Sequence, residues 1–282
     1  MSKQDEQHTI RRILVALDAS HDSLTALEAA ADLAATLGAE LLGLFVEDAS
    51  LLRLAGLPVA REMRYPFIAS GRLNRAGMER ALRAQAEQAR RAIAAAGKRR
   101  HVAWSFRVVR GEVASEVLEA AMEVDLLTLG KASRPIIRSV RVGSTARAAT
   151  EGAPCCVLML QRDVGIQPPV VVIYDGTSTG QKAITMAARL AGQQTGDLSV
   201  LILADTLDEA QQLRAGVADL LRRWDLDLKV RYRHLTGASS TTLTRAVQSE
   251  GGGVLVLGGT ILDQEALQRL LDAVDCPVMV VR

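Results

Sequence analysis

Apolar residues arrive in short unbroken runs, and between the runs they recur every third or fourth position. The first run, Ile13-Leu14-Val15-Ala16-Leu17, ends at Asp18. Unbroken apolar sequence of that length suits a strand covered on both faces. From Ser23 onward Leu24, Leu27, Ala30, Ala31, Ala34 and Leu37 keep helical spacing, and Gly38 supplies a stop. The alternation continues with a strand from Leu41 to Val46, a helix from about Leu73 to Ala96 and a strand around Trp104 to Val109. A helix from about Ala114 to Met122 precedes the strand Leu126 to Leu129, and a loop and short helix lead to a last strand, Cys156 to Leu160. Strand and helix alternating in this way predict right-handed βαβ crossovers and a parallel sheet.

The design is then repeated. Val170 to Tyr174 end at Asp175, 157 positions after Asp18, and Gly196 stands 158 after Gly38. Later the offsets shrink to 126 between Gly111 and Gly237, 128 between Gly130 and Gly258, and 121 between Cys155 and Cys276. The second copy therefore lacks about 30 residues from its middle, and 161–169, with Gly165 and Pro168-Pro169, is the natural linker. The expected fold is α/β, two tandem doubly wound parallel-sheet domains of Rossmann-like kind over 1–162 and 163–282. The first copy's surplus, about Ser50 to Arg72, holds Tyr65-Pro66-Phe67 and reads either as a lid or docking segment or as an irregular surface loop.

Composition adds limits. A chain of 282 residues with 49% hydrophobic and 23% charged residues is ordinary globular sequence, not a disordered one. The net charge of +2 divides into +5 up to and including Arg162 and −3 after it, so an anion, if bound, belongs to the first half. Thirteen basic residues against three acidic ones lie between Arg61 and Arg110, mostly on one long helix with few aromatics. That is a solvated helix face rather than a nucleic-acid surface. Cys155, Cys156 and Cys276 are too few and too badly spaced for a disulfide framework or a zinc site, and they read as reduced core residues. No uncharged stretch reaches the roughly 18 residues of a membrane span, so a soluble cytoplasmic protein is expected.

The most specific chemical feature is Leu129-Gly130-Lys131-Ala132-Ser133 followed, after nine residues, by Gly143-Ser144-Thr145 opening a helical run. In an open parallel sheet, ligands bind beyond the carboxyl ends of the strands, and a helix N-terminus offers unpaired N–H groups to a phosphate. Gly143 permits close backbone approach, and Ser144 and Thr145 add hydroxyl donors. Lys131, Arg134, Arg138, Arg141 and Arg147 surround them, with no acidic residue from Lys131 to Thr150. The composition is that of a phosphate cradle, although a Gly turn and a helix start would produce the same spacing.

Several stretches together resemble the universal stress protein family, over both halves. They are Ile13 to Ser20, Gly111-Glu112-Val113-Ala114, Asp125 to Gly130 and Ala153-Pro154-Cys155. ATP-binding members carry G-x2-G-x9-G-[ST], and this chain reads Gly130-x2-Ser133-x9-Gly143-Ser144, with Ser133 at the middle glycine. The resemblance implies an adenine nucleotide alpha hydrolase-like fold in which Ala16 and Asp18 lie beside the nucleotide and Val46 touches adenine. Leu129 and Gly130 would line base and ribose, while Ser133, Gly143, Ser144 and Thr145 would hold the phosphates of ATP, with or without Mg²⁺. Asp18 could equally be a turn or N-cap residue.

The second copy keeps Asp175 but continues Gly258-Gly259-Thr260-Ile261-Leu262-Asp263 with no later Gly-Ser, so its phosphate loop is gone. P-loop, dinucleotide-binding and nucleophile-elbow motifs are missing, and His8, His21, His101 and His234 have no evident catalytic partner. The expected function is thus an ATP-binding regulatory or sensor module in a stress response, with no dedicated catalytic residues and no metal-ligand set. A slow ATP-hydrolysing or autophosphorylating enzyme and an ATP-independent scaffold are the alternatives. The resemblance also implies that the two halves pair, and that chains pair with one another. Val278 to Val281 could present an edge for this or be buried within one chain.

Overall fold

The computed structural model describes residues 10–56, 74–131, 142–160, 165–223, 226–237, 239–251 and 253–282. The first half contains β1 (Arg12–Ala16), α1 (His21–Leu37), β2 (Glu40–Asp48), α2 (Ala49–Ala55), α3 (Arg75–Arg100), β3 (Trp104–Gly111), α4 (Val113–Ala121), β4 (Leu126–Gly130), α5 (Ser144–Gly152) and β5 (Cys156–Leu160). The second contains β6 (Val170–Tyr174), α6 (Ser178–Gly192), β7 (Asp197–Leu203), α7 (Leu207–Arg222), β8 (Lys229–Leu235), α8 (Ser240–Ser249), β9 (Val254–Gly258), α9 (Gln264–Ala273) and β10 (Val278–Val281). The order across the sheet is β3-β2-β1-β4-β5-β10-β9-β6-β7-β8, so each half repeats the other's order about the central β5–β10 pair. That pair is antiparallel, with Leu158 opposite Met279, and its neighbours on either side are parallel.

The unbroken apolar runs are explained by two cores, one on each face. Along β1, Ile13 and Val15 pack among residues of α1 and α3, while Leu14 packs on the opposite face with residues of α4 and α5. In β6, Val170 and Val172 face α6, and Val171 and Ile173 join the core of α8 and α9. Strand residues point alternately to the two faces, so both must be apolar when both are covered. Helix starts are mostly capped by side chains: Ser20, Asp48, Asn74, Thr177, Thr206, Ser239 and Asp263 each accept a first-turn N–H. Gly38 ends α1 at φ +65°, the left-handed conformation that glycine adopts without steric cost.

Two expectations change. Part of the stretch from Ser50 to Arg72 is not loop: its start lies in α2, which is capped by Asp48 and buries Leu52 and Ala55, while Tyr65-Pro66-Phe67 lie outside the described residues. Val278 to Val281 are interior, paired on both sides within the chain, and are not a free edge. The outer strands β3 and β8 carry Arg107 and Arg110, and Lys229, Arg231 and Arg233, charges that discourage pairing with another sheet edge. The arginines of α3 are mostly exposed, and Arg99 and Arg100 pair with Glu28 and Asp32 of α1. Among the described residues no helix is long and apolar enough to cross a membrane.

Candidate functional site

From β1 the chain moves outward to β2 and β3, then returns to place β4 on the other side of β1. Connections leaving in opposite directions open a crevice at the carboxyl ends of those neighbouring strands. A cavity of about 270 Å³ lies there, lined by Ala16 and Asp18 from the end of β1, Val46 from β2, Leu129 and Gly130 from β4, and Gly143, Ser144 and Thr145 at the start of α5. Leu44, Val113 and Val117 complete an apolar wall. A neighbouring cavity of about 450 Å³ shares Asp18, Val46, Val113, Ser144 and Thr145 and extends over Asp48, Gln85 and Glu112. Ser133, Arg134, Arg138 and Arg141 lie outside the described residues. Val117 is hidden in the sequence because it reads as an ordinary core position of an amphipathic helix, and Val113 enters there only within the Gly111-Glu112-Val113-Ala114 stretch, with no role at a site.

Asp18 has two roles. Its Oδ1 accepts the N–H of Ser20 at 2.9 Å, forming the turn into α1, and the carboxylate also borders the cavity. Ser20 then caps the helix by accepting the N–H of Ser23 at 3.2 Å. The glycines differ in kind. A Cβ on Gly130 would lie 3.0 Å from Cβ of Asp22 and 3.1 Å from its backbone, so glycine lets the end of β4 pass beneath the first turn of α1. Among the described residues, a Cβ on Gly143 would meet only the carbonyl oxygen of Lys131, at 3.7 Å, so none of them requires glycine there.

Donor groups for an anion come from backbone at two helix starts. Among the described helices, α4 and α5 are the two whose first turns have no side-chain cap, and both starts border the cavities. Uncapped first-turn N–H groups, backed by the helix dipole, present partial positive charge to an anion. The charged side chains described around the two cavities are acidic: Asp18, Asp22, Asp48 and Glu112. Arg147 is exposed on α5 and does not line either cavity.

Lys131 corrects an expectation. Its side chain does not border the crevice but is buried, 4% exposed, and its Nζ donates to the carbonyl of Val274 at 2.8 Å. Burial lowers its pKa, opposed by the nearby carboxylates of Asp275 and Asp272. The backbone of Lys131 does serve the cradle, since its carbonyl accepts the N–H of Gly143 at 2.9 Å.

At the corresponding place in the second half, side chains bond to one another and to the helix starts. Asp175 accepts the Thr177 hydroxyl at 2.7 Å, Thr177 and Thr179 hydroxyls lie 3.1 Å apart, and Thr179 meets Thr260 at 2.6 Å. The helix starts that are open in the first half are closed here: Ser239 caps α8, and Asp263 accepts the N–H of Ala266 at 2.7 Å to cap α9. Arg282 lies against Gly259. A caboxylate at Asp263 also repels phosphate where the first half has Gly143.

A separate cavity of about 250 Å³ opens at the seam of the halves, lined by Asp125, Cys155, Cys156, Lys182 and Met186 among others. Asp125 accepts the N–H groups of Arg11 and Arg12, and Lys182 donates to the carbonyl of Arg282 at 3.3 Å, so these polar groups serve the fold. Burial pushes the Cys155 thiol up to about 12 and the Cys276 thiol to about 11. The thiolate is the reactive form, so at pH 8 only about 10⁻⁴ and 10⁻³ of these groups are nucleophilic. Thiol-reagent kinetics at pH 8 are expected to show both inert in the native protein and all three cysteines reactive in denaturant. Rapid native labelling of Cys155 or Cys276 would contradict that environment. His234 is structural, its Nε2 lying 2.8 Å from the Ala204 carbonyl oxygen.

Comparison with known proteins bears on the same region. The model of the universal stress protein family matches residues 9–161, which contain β1 to β5 and every residue of the crevice. The fold resembles that of a universal stress protein from Archaeoglobus fulgidus, with 16% identity over 96% of both chains and a TM-score of 0.72. It also resembles a protein of unknown function from Pseudomonas aeruginosa, with 17% identity over 98% of this chain and 94% of that one and a TM-score of 0.59. At these identities the likeness is one of fold. No curated protein matches the chain.

Proposed function

The chain belongs to the universal stress protein family, and from that premise we propose that its first half is a binding module for ATP with Mg²⁺, read by partners in a stress response. The observation that carries the proposal is the convergence of two uncapped helix starts on a cavity with an apolar wall, where the second half has both equivalents capped. In this reading adenine packs between Val46, Leu129 and Val113, and the phosphates meet the N–H and hydroxyl groups of Gly143, Ser144 and Thr145. The two domains divide at 162/163, and the second is the degenerate copy.

The acidic lining fits a nucleotide that arrives with a divalent cation. A bare triphosphate beside Asp18 and Asp22 faces like-charge repulsion, and the ion's contribution is to neutralise it. The test begins by denaturing protein purified without added nucleotide and identifying released small molecules by mass spectrometry, followed by titration with ATP in Mg²⁺ or in EDTA. Released ATP, or saturable binding weakened about tenfold or more by EDTA, is the expected result. No released adenine nucleotide and no binding at millimolar Mg·ATP would overturn the reading. ATP recovered intact identifies a binding module, and linear ADP formation lost in a Ser144→Ala variant would instead identify a hydrolase.

A further inference from the structure

Helix α9 starts at the closed cradle of the second half, and its last turn grips the open cradle of the first. The Val142 N–H donates to Oδ1 of Asp272 at 2.9 Å, and the ammonium of Lys131 donates to the carbonyl of Val274 at 2.8 Å. These two residues flank the cradle, and the Gly143 N–H to Lys131 carbonyl bond ties them together. Further along, Gln268 of α9 donates to the Thr150 hydroxyl of α5 at 2.9 Å, and Arg282, after β10, donates to the Thr150 carbonyl. Each of these contacts except the Gly143–Lys131 bond crosses from one half to the other.

A lysine at the carbonyl end of a helix meets unfilled acceptors and the negative end of the dipole. Stability alone is a weak reason to bury it, because an apolar side chain of similar volume commonly serves as well or better. What an apolar residue cannot supply is a directional tie to one carbonyl. Asp272 likewise accepts a backbone N–H, that of the residue before Gly143, with Oδ1 of its carboxylate.

We propose that Lys131 and Asp272 are positioning residues through which the second half holds Val142 and Gly143 in register with the anion site. The half that has lost its own cradle thereby sets the affinity of the other. Only this effect on affinity rests on the nucleotide reading; the hold on the loop does not. By linkage, a ligand that favours the held arrangement also strengthens the contact between the halves.

The test uses the full chain without nucleotide and hydrogen exchange read over residues 142–147. Asp272→Ala and Lys131→Met are each expected to accelerate exchange there about tenfold with unchanged circular dichroism, whereas Asp272→Asn, which keeps a carbonyl acceptor, stays near the wild-type rate. Mg·ATP affinity is expected to fall about tenfold in the first two variants and not in the third, and the double variant to lose less than the product because both act on one loop. Wild-type exchange in both Asp272→Ala and Lys131→Met, or equal acceleration in Asp272→Asn and Asp272→Ala, would overturn the proposal. Accelerated exchange in a protein whose wild type binds no nucleotide would leave the hold standing and remove the nucleotide reading.

Discussion

Gly143→Asp is expected to weaken Mg·ATP binding about 100-fold or more while leaving the protein as stable as before or more so. The substitution copies into the first half what the second already has, since Asp263 caps α9 where Gly143 opens α5. At φ −64° and ψ 160° the backbone of Gly143 suits any residue, and among the described residues its Cβ would meet nothing nearer than 3.7 Å. An aspartate there can accept a first-turn N–H, a cap worth about 0.5–2 kcal/mol relative to alanine and somewhat less relative to glycine. The same carboxylate removes an amide from the cradle and places a negative charge where phosphate would lie. Losing charge-assisted hydrogen bonds of about 1.5–3 kcal/mol each accounts for the predicted loss. Thermal melting and a nucleotide titration of one preparation check both halves of the prediction. Joint loss of stability and binding would mean that the glycine serves the fold after all.

The largest effect on stability is expected at Gly253, at the start of β9. A Cβ there would collide with the carbonyl oxygen of Pro169 and stand 2.7 Å from both the Gln167 oxygen and the Pro169 nitrogen. All three atoms are backbone, so no side chain can swing aside. The segment is held further by the N–H of Val254, which donates to the same Pro169 carbonyl at 3.2 Å. Gly253→Ala must therefore pull the start of β9 away from β6, and a loss of about 3 kcal/mol or more is expected in chemical denaturation. Gly216→Ala provides the contrast, because that glycine is exposed within α7 and a Cβ would meet nothing within 4 Å. It should stabilise by about 0.5–1 kcal/mol. Similar outcomes for the two alanines would refute the distinction between a glycine required by packing and one that is not.

Much of the fold was legible because buried parallel strands have no polar face to interrupt them. Val170 to Tyr174 could be bounded from the sequence alone, and Gly38 announced the end of α1 by the left-handed turn it makes. Helix α2 escaped because seven residues give too few turns for a period to show. The place of β10 escaped for a different reason: βαβ alternation fixes the parallel pairs within a half but is silent on the antiparallel seam between halves. At the site, Gly143 and Ser144 could be found from their spacing, whereas Asp18 is placed there by the family resemblance, its position after a strand fitting a turn equally well. The direction of Lys131 could not, since its partner lies 143 positions away and a lysine beside a glycine-rich turn has the same composition whichever way it points. Val117 shows the converse limit, as an apolar helix position reads alike whether it packs on a strand or lines a cavity.

In the proposed function one half of the duplicated fold binds a nucleotide, while the other has capped the equivalent helix starts with its own side chains. Calorimetric titration of the full chain with Mg·ATP, run beside Gly143→Asp, tests this most directly. One site per chain in the wild type and none in the variant is the predicted result. Two sites per chain, undiminished binding in Gly143→Asp, or no binding in either would contradict it.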